Sequence, residues 1–221
     1  MPSGIDIEKR DQALVALALM TGARDDALAS LRLGHVDLDA ELIQQDAREV
    51  RTKFSKTFPT YFVPVGDDIR EIFEGWVRHL KEVLLWGPDD PLFPRTRVVS
   101  GADRRFQVNG LERVGWRTSV PIRAIFRKAF EAVGVPYFNP HSFRHALTRH
   151  GQTICATLED HKAFSQNLGH SSIKTTEMHY GEIPAERQGQ LIRGLGKRGT
   201  ADAAAVSLAR ELLECLGGAQ K

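Results

Sequence analysis

Cysteine is scarce in this 221-residue chain: there are two, Cys155 and Cys215, far apart and without the close spacing of metal ligands. That excludes a disulfide framework and a cysteine metal centre, and leaves two reduced structural thiols. No apolar run reaches membrane-spanning length. The strongest candidate, Ala13 to Met20, is too short for a bilayer, and both acids and bases precede it, unlike the flank of a signal peptide. A cytoplasmic location with no membrane partner is the default expectation. Internal repeats and low-complexity tracts are also absent. The net charge is only +2, so its sign alone selects no partner. What is present is 42% hydrophobic and 26% charged residues, the balance of a folded globular chain long enough for one sizeable core.

The small net charge hides an uneven distribution. Residues 1 to 50 carry ten acids against five bases, whereas Arg95, Arg97, Arg104, Arg105, Arg113, Arg117, Arg123, Arg127 and Lys128 face only Asp103 and Glu112 between Pro94 and Lys128. A solvated loop is the ordinary reading of such a stretch. The alternative is a surface that neutralises an anionic partner.

Helical spacing runs through Ile7, Leu14, Val15, Ala18 and Leu19, and Gly22 supplies a stop. Arg24 opens the next helix, with Ala27, Leu28 and Leu31 continuing a buried face. The pattern turns to strands near Glu41. Leu42–Ile43 and the Val50 to Lys53 run form one arm of a hairpin and Thr60 to Val65 the other, with Lys53 near the tip. Gly66 to Leu85 is an amphipathic helix, and the basic stretch after Pro94 reads as a long connection with little periodicity. Helices are expected over Val120–Val133, from Asn139 (N-cap) and Pro140 onward, over Ala156–Leu168 and Ser171–Met178, and over Thr200–Leu216. Between the last two, residues 183 to 192 form a connection of helical character.

One group of residue types stands out chemically: Arg24, Lys53, His141, Arg144 and His170 with a tyrosine, Tyr180. A phenol is a poor nucleophile at neutral pH unless its target is already held and neutralised by cations. Cations with two imidazoles and one tyrosine suit attack on a phosphodiester, because the developing charge lies on phosphoryl oxygens. His141 and Arg144, three apart, share a helix face.

Three patterns stand in a fixed order: Thr21-Gly22-Ala23-Arg24, then Pro140-His141-Ser142-Phe143-Arg144-His145, then Leu168-Gly169-His170 followed by Tyr180-Gly181. With Lys53 between the first two, the chain closely resembles the catalytic domain of the tyrosine recombinase, or phage integrase, family over about residues 5 to 195. The resemblance implies a mainly α fold with a small antiparallel β-sheet (α+β): residues 1–197 as the catalytic domain and 198–221 as a tail helix, docked on a neighbouring protomer or on its own domain. It implies site-specific strand transfer on double-stranded DNA without metal, ATP or other cofactor, in a tetramer assembled on the DNA. Tyr180 would form a 3'-phosphotyrosyl bond and release a 5'-hydroxyl. Arg24 and Arg144 would clamp the phosphate oxygens, His141 would assist proton transfer from Tyr180, His170 would hydrogen-bond the phosphate, and Lys53 would protonate the leaving oxygen. Lys56, Arg95, Arg97, Arg104, Arg105 and Arg117 are the candidate DNA-binding residues.

Several positions depart from the family pattern. Ala27 stands where an acid usually follows the first arginine, leaving Asp25 or Asp26 to orient Arg24. The hairpin tip is Phe54-Ser55-Lys56 rather than glycine-rich, so Lys56 rivals Lys53. The interval from His170 to Tyr180 is one of the two usual for the family, and His179 falls at the other. The first catalytic-domain helix is expected within a few residues of Met1, where members of the family have a separate helical DNA-clamping domain ahead of it; for a fragment or a naturally short member alike, weak DNA affinity is the expectation. Three other readings are open: a zinc site on His141 and His145, a catalytically decayed DNA-binding module, and a type IB topoisomerase. In the first, Ser142 and Arg144 are the wrong neighbours for zinc.

Overall fold

Ala13 to Met20, the apolar run too short for a membrane, is the centre of the molecule: each of these residues is at most 8% exposed. A helix apolar on every side has to be surrounded. In the computed structural model, which describes residues 3–100, 104–169, 183, 185–195 and 203–217, helix α1 (Ser3–Thr21) runs through the core. Around it pack α3 (Asp67–Arg78), α5 (His141–Ile154), α8 (Ala203–Gly217) and strand β5 (Phe106–Glu112). Among the described residues no helix is long and apolar enough to cross a membrane.

α1 ends where the sequence puts its glycine. Gly22 adopts φ +58°, its N–H donates to Ala18 O at 2.9 Å, and Thr21 Oγ1 donates to Leu17 O at 2.6 Å. This left-handed stop costs glycine little and turns the chain sharply. Arg24, in extended conformation, then caps the short α2 (Asp25–Leu28), whose Ala27 and Leu28 are buried. Strands β1 (Val36–Asp37), β2 (Leu42–Gln45) and β3 (Phe58–Tyr61) form an antiparallel sheet in that order, with Leu42 opposite Tyr61 and Gln45 opposite Phe58. β3 runs on to the end of α1 through Val63 N–H and Met20 O at 2.8 Å. The mainly helical architecture with small antiparallel sheets agrees with the expectation.

Three local readings need correction. The Val50 to Lys53 run is not a strand. The ladder stops at Gln45 because the Asp46 carboxylate accepts from the backbone N–H of Arg48 at 2.9 Å, an aspartate turn that outcompetes the strand. Residues 46–57 form a loop, and Lys53 starts a 3-10 turn in which Phe54 and Ser55 take positive φ. The basic stretch is not an irregular connection either. Arg95–Ser100 (β4) pairs antiparallel with β5, placing Val98 opposite Val108 and Ser100 opposite Phe106. Both faces of the outer ribbon are wet, with Val98 52%, Val108 57% and Phe106 85% exposed, so there was no one-sided apolar alternation to read. Finally, the N-cap of α5 is Pro140, not Asn139. The Asn139 carbonyl accepts from Ser142 N–H at 2.9 Å and Ser142 Oγ at 2.7 Å.

The remaining helices are α4 (Val120–Ala132), α6 (Leu158–Asn167) and α7 (Ala185–Leu195). Phe126 of α4 meets Phe143 of α5 edge to face at 5.2 Å, so Phe143 is a packing residue. α8 lies on α1 and α4 of its own chain, held by buried Leu212 and Leu213, by Gln12 Nε2 donating to Leu213 O at 2.7 Å, and by Arg210 with Asp68 at 2.6 Å. The expected helix over Ser171–Met178 lies outside the described residues.

A Cβ built on Gly22 meets Leu168 Cδ2 at 3.0 Å and Leu147 Cδ1 at 3.2 Å, in a backbone conformation that disfavours any side chain. Gly22→Ala should therefore destabilise the fold by about 1–3 kcal/mol. Urea unfolding checks this, and a midpoint equal to wild type would contradict it.

Candidate active site

Helix α5 presents His141 in its first turn and Arg144 one turn on. Arg144 is 5% exposed, and its guanidinium reaches two other parts of the chain. Nη1 donates to Gly22 O at 3.2 Å, and Nη2 donates to Leu168 O. The three ordered sequence patterns, with Arg144 122 residues from Gly22 and 24 from Leu168, thus meet at one buried cation. Among the described residues no carboxylate pairs with Arg144 or with Arg24.

That lack shows in the protonation equilibria. Burial, followed by the charge of Arg24, pulls Arg144 down to about 10, still cationic at neutral pH. Arg24 is lowered by burial. His141 is lowered first by burial, then by His145, Arg144 and Arg24, with Asp25 opposing weakly. Its imidazole is therefore neutral at pH 7 and able to accept a proton. Two guanidiniums and a neutral imidazole held together without a counter-ion form a site suited to an anion.

Of the two acids expected to orient Arg24, Asp26 is exposed and Asp25 is engaged elsewhere. Asp25 Oδ2 accepts from Arg123 Nε at 2.7 Å, and Ala27, where an acid was expected, is 1% exposed in the core. Lys53 is exposed with Nζ 4.9 Å from the Phe54 ring centre. Lys56 is half-buried and lines a cavity of about 320 Å3 with Phe58, Gln166, Gly169 and Gln188. Lys56 thus shares a cavity with Gly169, while Lys53 is exposed to solvent. His170 and Tyr180 lie outside the described residues.

Of the other basic candidates, Arg97, Arg104, Arg105 and Arg117 are exposed, while Arg95 forms a bidentate pair with Glu112 at 2.7 Å for both bonds. Rings of His141 and His145 stand edge to face at 4.7 Å, and among the described residues no group of three or more His, Cys, Asp or Glu gathers as metal ligands do. Sequence reasoning missed two buried polar residues. Arg10, 3% exposed, donates to Asp11 Oδ1 at 2.6 and 2.9 Å and to Pro94 O at 2.9 Å, anchoring β4 on α1. Asn167, 1% exposed, joins α6 to β3. Its only sequence signal was an amide on the apolar side of a helix.

Comparison with known proteins follows the same outline. A model of the phage integrase family matches residues 5–187. Tyrosine recombinase XerC of Pseudomonas putida is 28% identical over 183 residues, covering 81% of this chain and 51% of its own length. The XerC of Pseudomonas fluorescens is 32% identical over 170 residues, covering 77% and 47%. The chain spans about half the length of these curated relatives. Among solved structures, the integrase from mycobacterium phage Brujita superposes with a TM-score of 0.52 at 17% identity, covering 94% of this chain and 62% of that one, a likeness of fold.

Two outcomes are expected of the free protein. Inorganic phosphate or sulfate should raise the melting temperature beyond the effect of chloride at equal ionic strength, since an anion bound only to the folded state stabilises it, and Arg24→Ala should remove that difference. Stability should also fall with acid through His141. The folded value lies below the ordinary 6.5, so as pH drops through that value the unfolded chain takes up the proton first. The stability present above pH 6.5 is lost as pH falls towards the folded value, and His141→Gln should lessen the loss in a series of melting curves from pH 7.5 to 5.

Proposed function

The chain belongs to the phage integrase family, and from that premise we propose that it is a site-specific tyrosine recombinase which cuts and rejoins double-stranded DNA. The observation that carries the reading is the joining of the Gly22, Arg144 and Leu168 segments by one buried guanidinium, beside a second arginine without a carboxylate partner. Such a pocket favours a phosphodiester over a neutral substrate.

In the proposed reaction Arg24 and Arg144 bind the non-bridging oxygens of the scissile phosphate, and His170 adds a hydrogen bond. Tyr180 attacks phosphorus. The phenolic proton passes to neutral His141 as the Tyr180–phosphorus bond forms, and the bond from phosphorus to the 5'-oxygen breaks. Lys53, with Lys56 as its rival, donates the proton that makes the leaving group a 5'-hydroxyl. A 5'-hydroxyl from another duplex reverses the steps on the 3'-phosphotyrosyl bond. One phosphodiester replaces another of similar energy, so neither ATP nor a redox partner enters the balance.

Exchange between two duplexes calls for several copies of the chain on DNA, and a tetramer is the proposed assembly. The exposed Arg97, Arg104, Arg105 and Arg117, with Lys56, are the proposed contacts to the phosphate backbone. Arg95, paired with Glu112, is a further proposed contact.

A pool of nicked duplexes that trap cleavage, incubated with the protein in EDTA and without ATP, should yield a covalent adduct on a denaturing gel. The DNA should be attached through its 3' end. Tyr180→Phe should abolish the adduct while DNA binding persists, and Arg24→Ala should slow its formation by ~10²-fold. A Tyr180→Phe adduct would remove that tyrosine from its role. Relaxation of supercoiled DNA without exchange between two sites would favour the topoisomerase reading.

A further inference from the structure

Resting on the recombinase reading, we infer that Gln166 and Asn167 are positioning residues that hold the two ends of the segment carrying His170 and Tyr180. The two amides are adjacent at the end of α6, immediately before Leu168-Gly169, and each pairs with both backbone groups of a distant residue. Gln166 Nε2 donates to Ile183 O and Gln166 Oε1 accepts from Ile183 N–H, each at 3.3 Å. Asn167 Oδ1 accepts from Tyr61 N–H at 2.7 Å, and Asn167 Nδ2 donates to Tyr61 O at 2.9 Å. A carboxamide has one donor side and one acceptor side, as a peptide unit does, so each side chain acts as one rung of a β-ladder. Gln166 thereby brings together the chain on either side of residues 170–182. Asn167 fixes the same point to β3.

Tyr61 serves both ends. Its hydroxyl donates to Ala185 O at 2.7 Å, and its ring lies so close over Gly189 that a Cβ there would sit 2.3 Å from Cε1. Gln188 of α7, 5% exposed, donates to Asn167 Oδ1 at 3.4 Å. On the other side Leu168 O accepts from Arg144, and a Cβ at Gly169 would meet the Phe58 ring at 2.6 Å. The entry to the segment is thus tied to the phosphate-directed arginine and to β3, and its exit to α6 and to β3. Neither amide touches the proposed substrate; both act through the backbone on either side. A nucleophile carried between two fixed ends starts nearer its attack geometry than one on a free strand, and a displacement of about 1 Å can cost ~10²-fold in rate.

Gln166 is half-buried and its replacement leaves the core intact, so it gives the cleaner test. Gln166→Met keeps length and loses both hydrogen bonds, and Gln166→Glu keeps the acceptor for Ile183 N–H alone. Asn167→Asp does the same at Tyr61. Single-turnover adduct formation on the trapped nicked duplex is measured at saturating DNA and at a temperature where melting curves show each variant folded, alongside the DNA dissociation constant. The expected result is a cleavage rate reduced about 10- to 10²-fold in Gln166→Met, a smaller loss in Gln166→Glu and Asn167→Asp, and a dissociation constant within about twofold of wild type. Wild-type rates in Gln166→Met and Asn167→Asp would overturn the inference while leaving the recombinase reading in place. A weakened dissociation constant with an unchanged rate would overturn it in favour of a binding role. No adduct from wild-type protein would remove the recombinase reading and this inference with it.

Discussion

A guanidinium 5% exposed, with carbonyls and no carboxylate as its partners among the described residues, is the constraint around which the candidate site is built. Burying a cation is expensive unless its donors are used, and Arg144 directs two of them at the backbones of Gly22 and Leu168. Those contacts ask for specific neighbours. Gly22 must turn with positive φ and carry no side chain, because Leu168, Leu147 and the α5 backbone leave no room. Leu168 must end α6 close enough to offer its carbonyl, which Asn167 secures by pairing with β3.

The same constraint shapes the electrostatics. Family resemblance led to the expectation of an acid beside Arg24, but Ala27 is in the core and Asp25 is paired with Arg123. Burial first, and then the neighbouring positive charges, lower the proton affinity of Arg144 and His141. An anion would relieve that mutual repulsion. Perturbed groups of this kind are what the proposed phosphate-binding role requires.

The β4–β5 ribbon and the residue 46–57 loop show where reading a sequence stops. Periodicity detects an element that buries one face. Helices α3 and α4 do so, burying Ile69, Phe73, Trp76 and Val77 of the one and Ile122, Ile125, Phe126 and Phe130 of the other at helical spacing. The outer ribbon buries neither face, so its arginines disguised its valines. The loop fails in the opposite way, because Val50 is buried at 1% exposure yet lies outside any strand. Burial without a ladder looks the same in sequence as burial within one.

The sequence by itself determined the helical class, the central apolar helix, the glycine stop before Arg24 and the ordered residue types that point to phosphoryl chemistry. These are local facts: periodicity, turn chemistry and side-chain reactivity are properties of neighbouring residues. Only the tertiary structure decided that Arg144 joins Gly22 to Leu168, that Asp25 serves Arg123, that Lys56 shares a cavity with Gly169, and that Gln166 and Asn167 bind Ile183 and Tyr61. Each of these is a contact between residues remote in the chain. Their partners are chosen by how packed helices meet, and no spacing rule along the sequence carries that information.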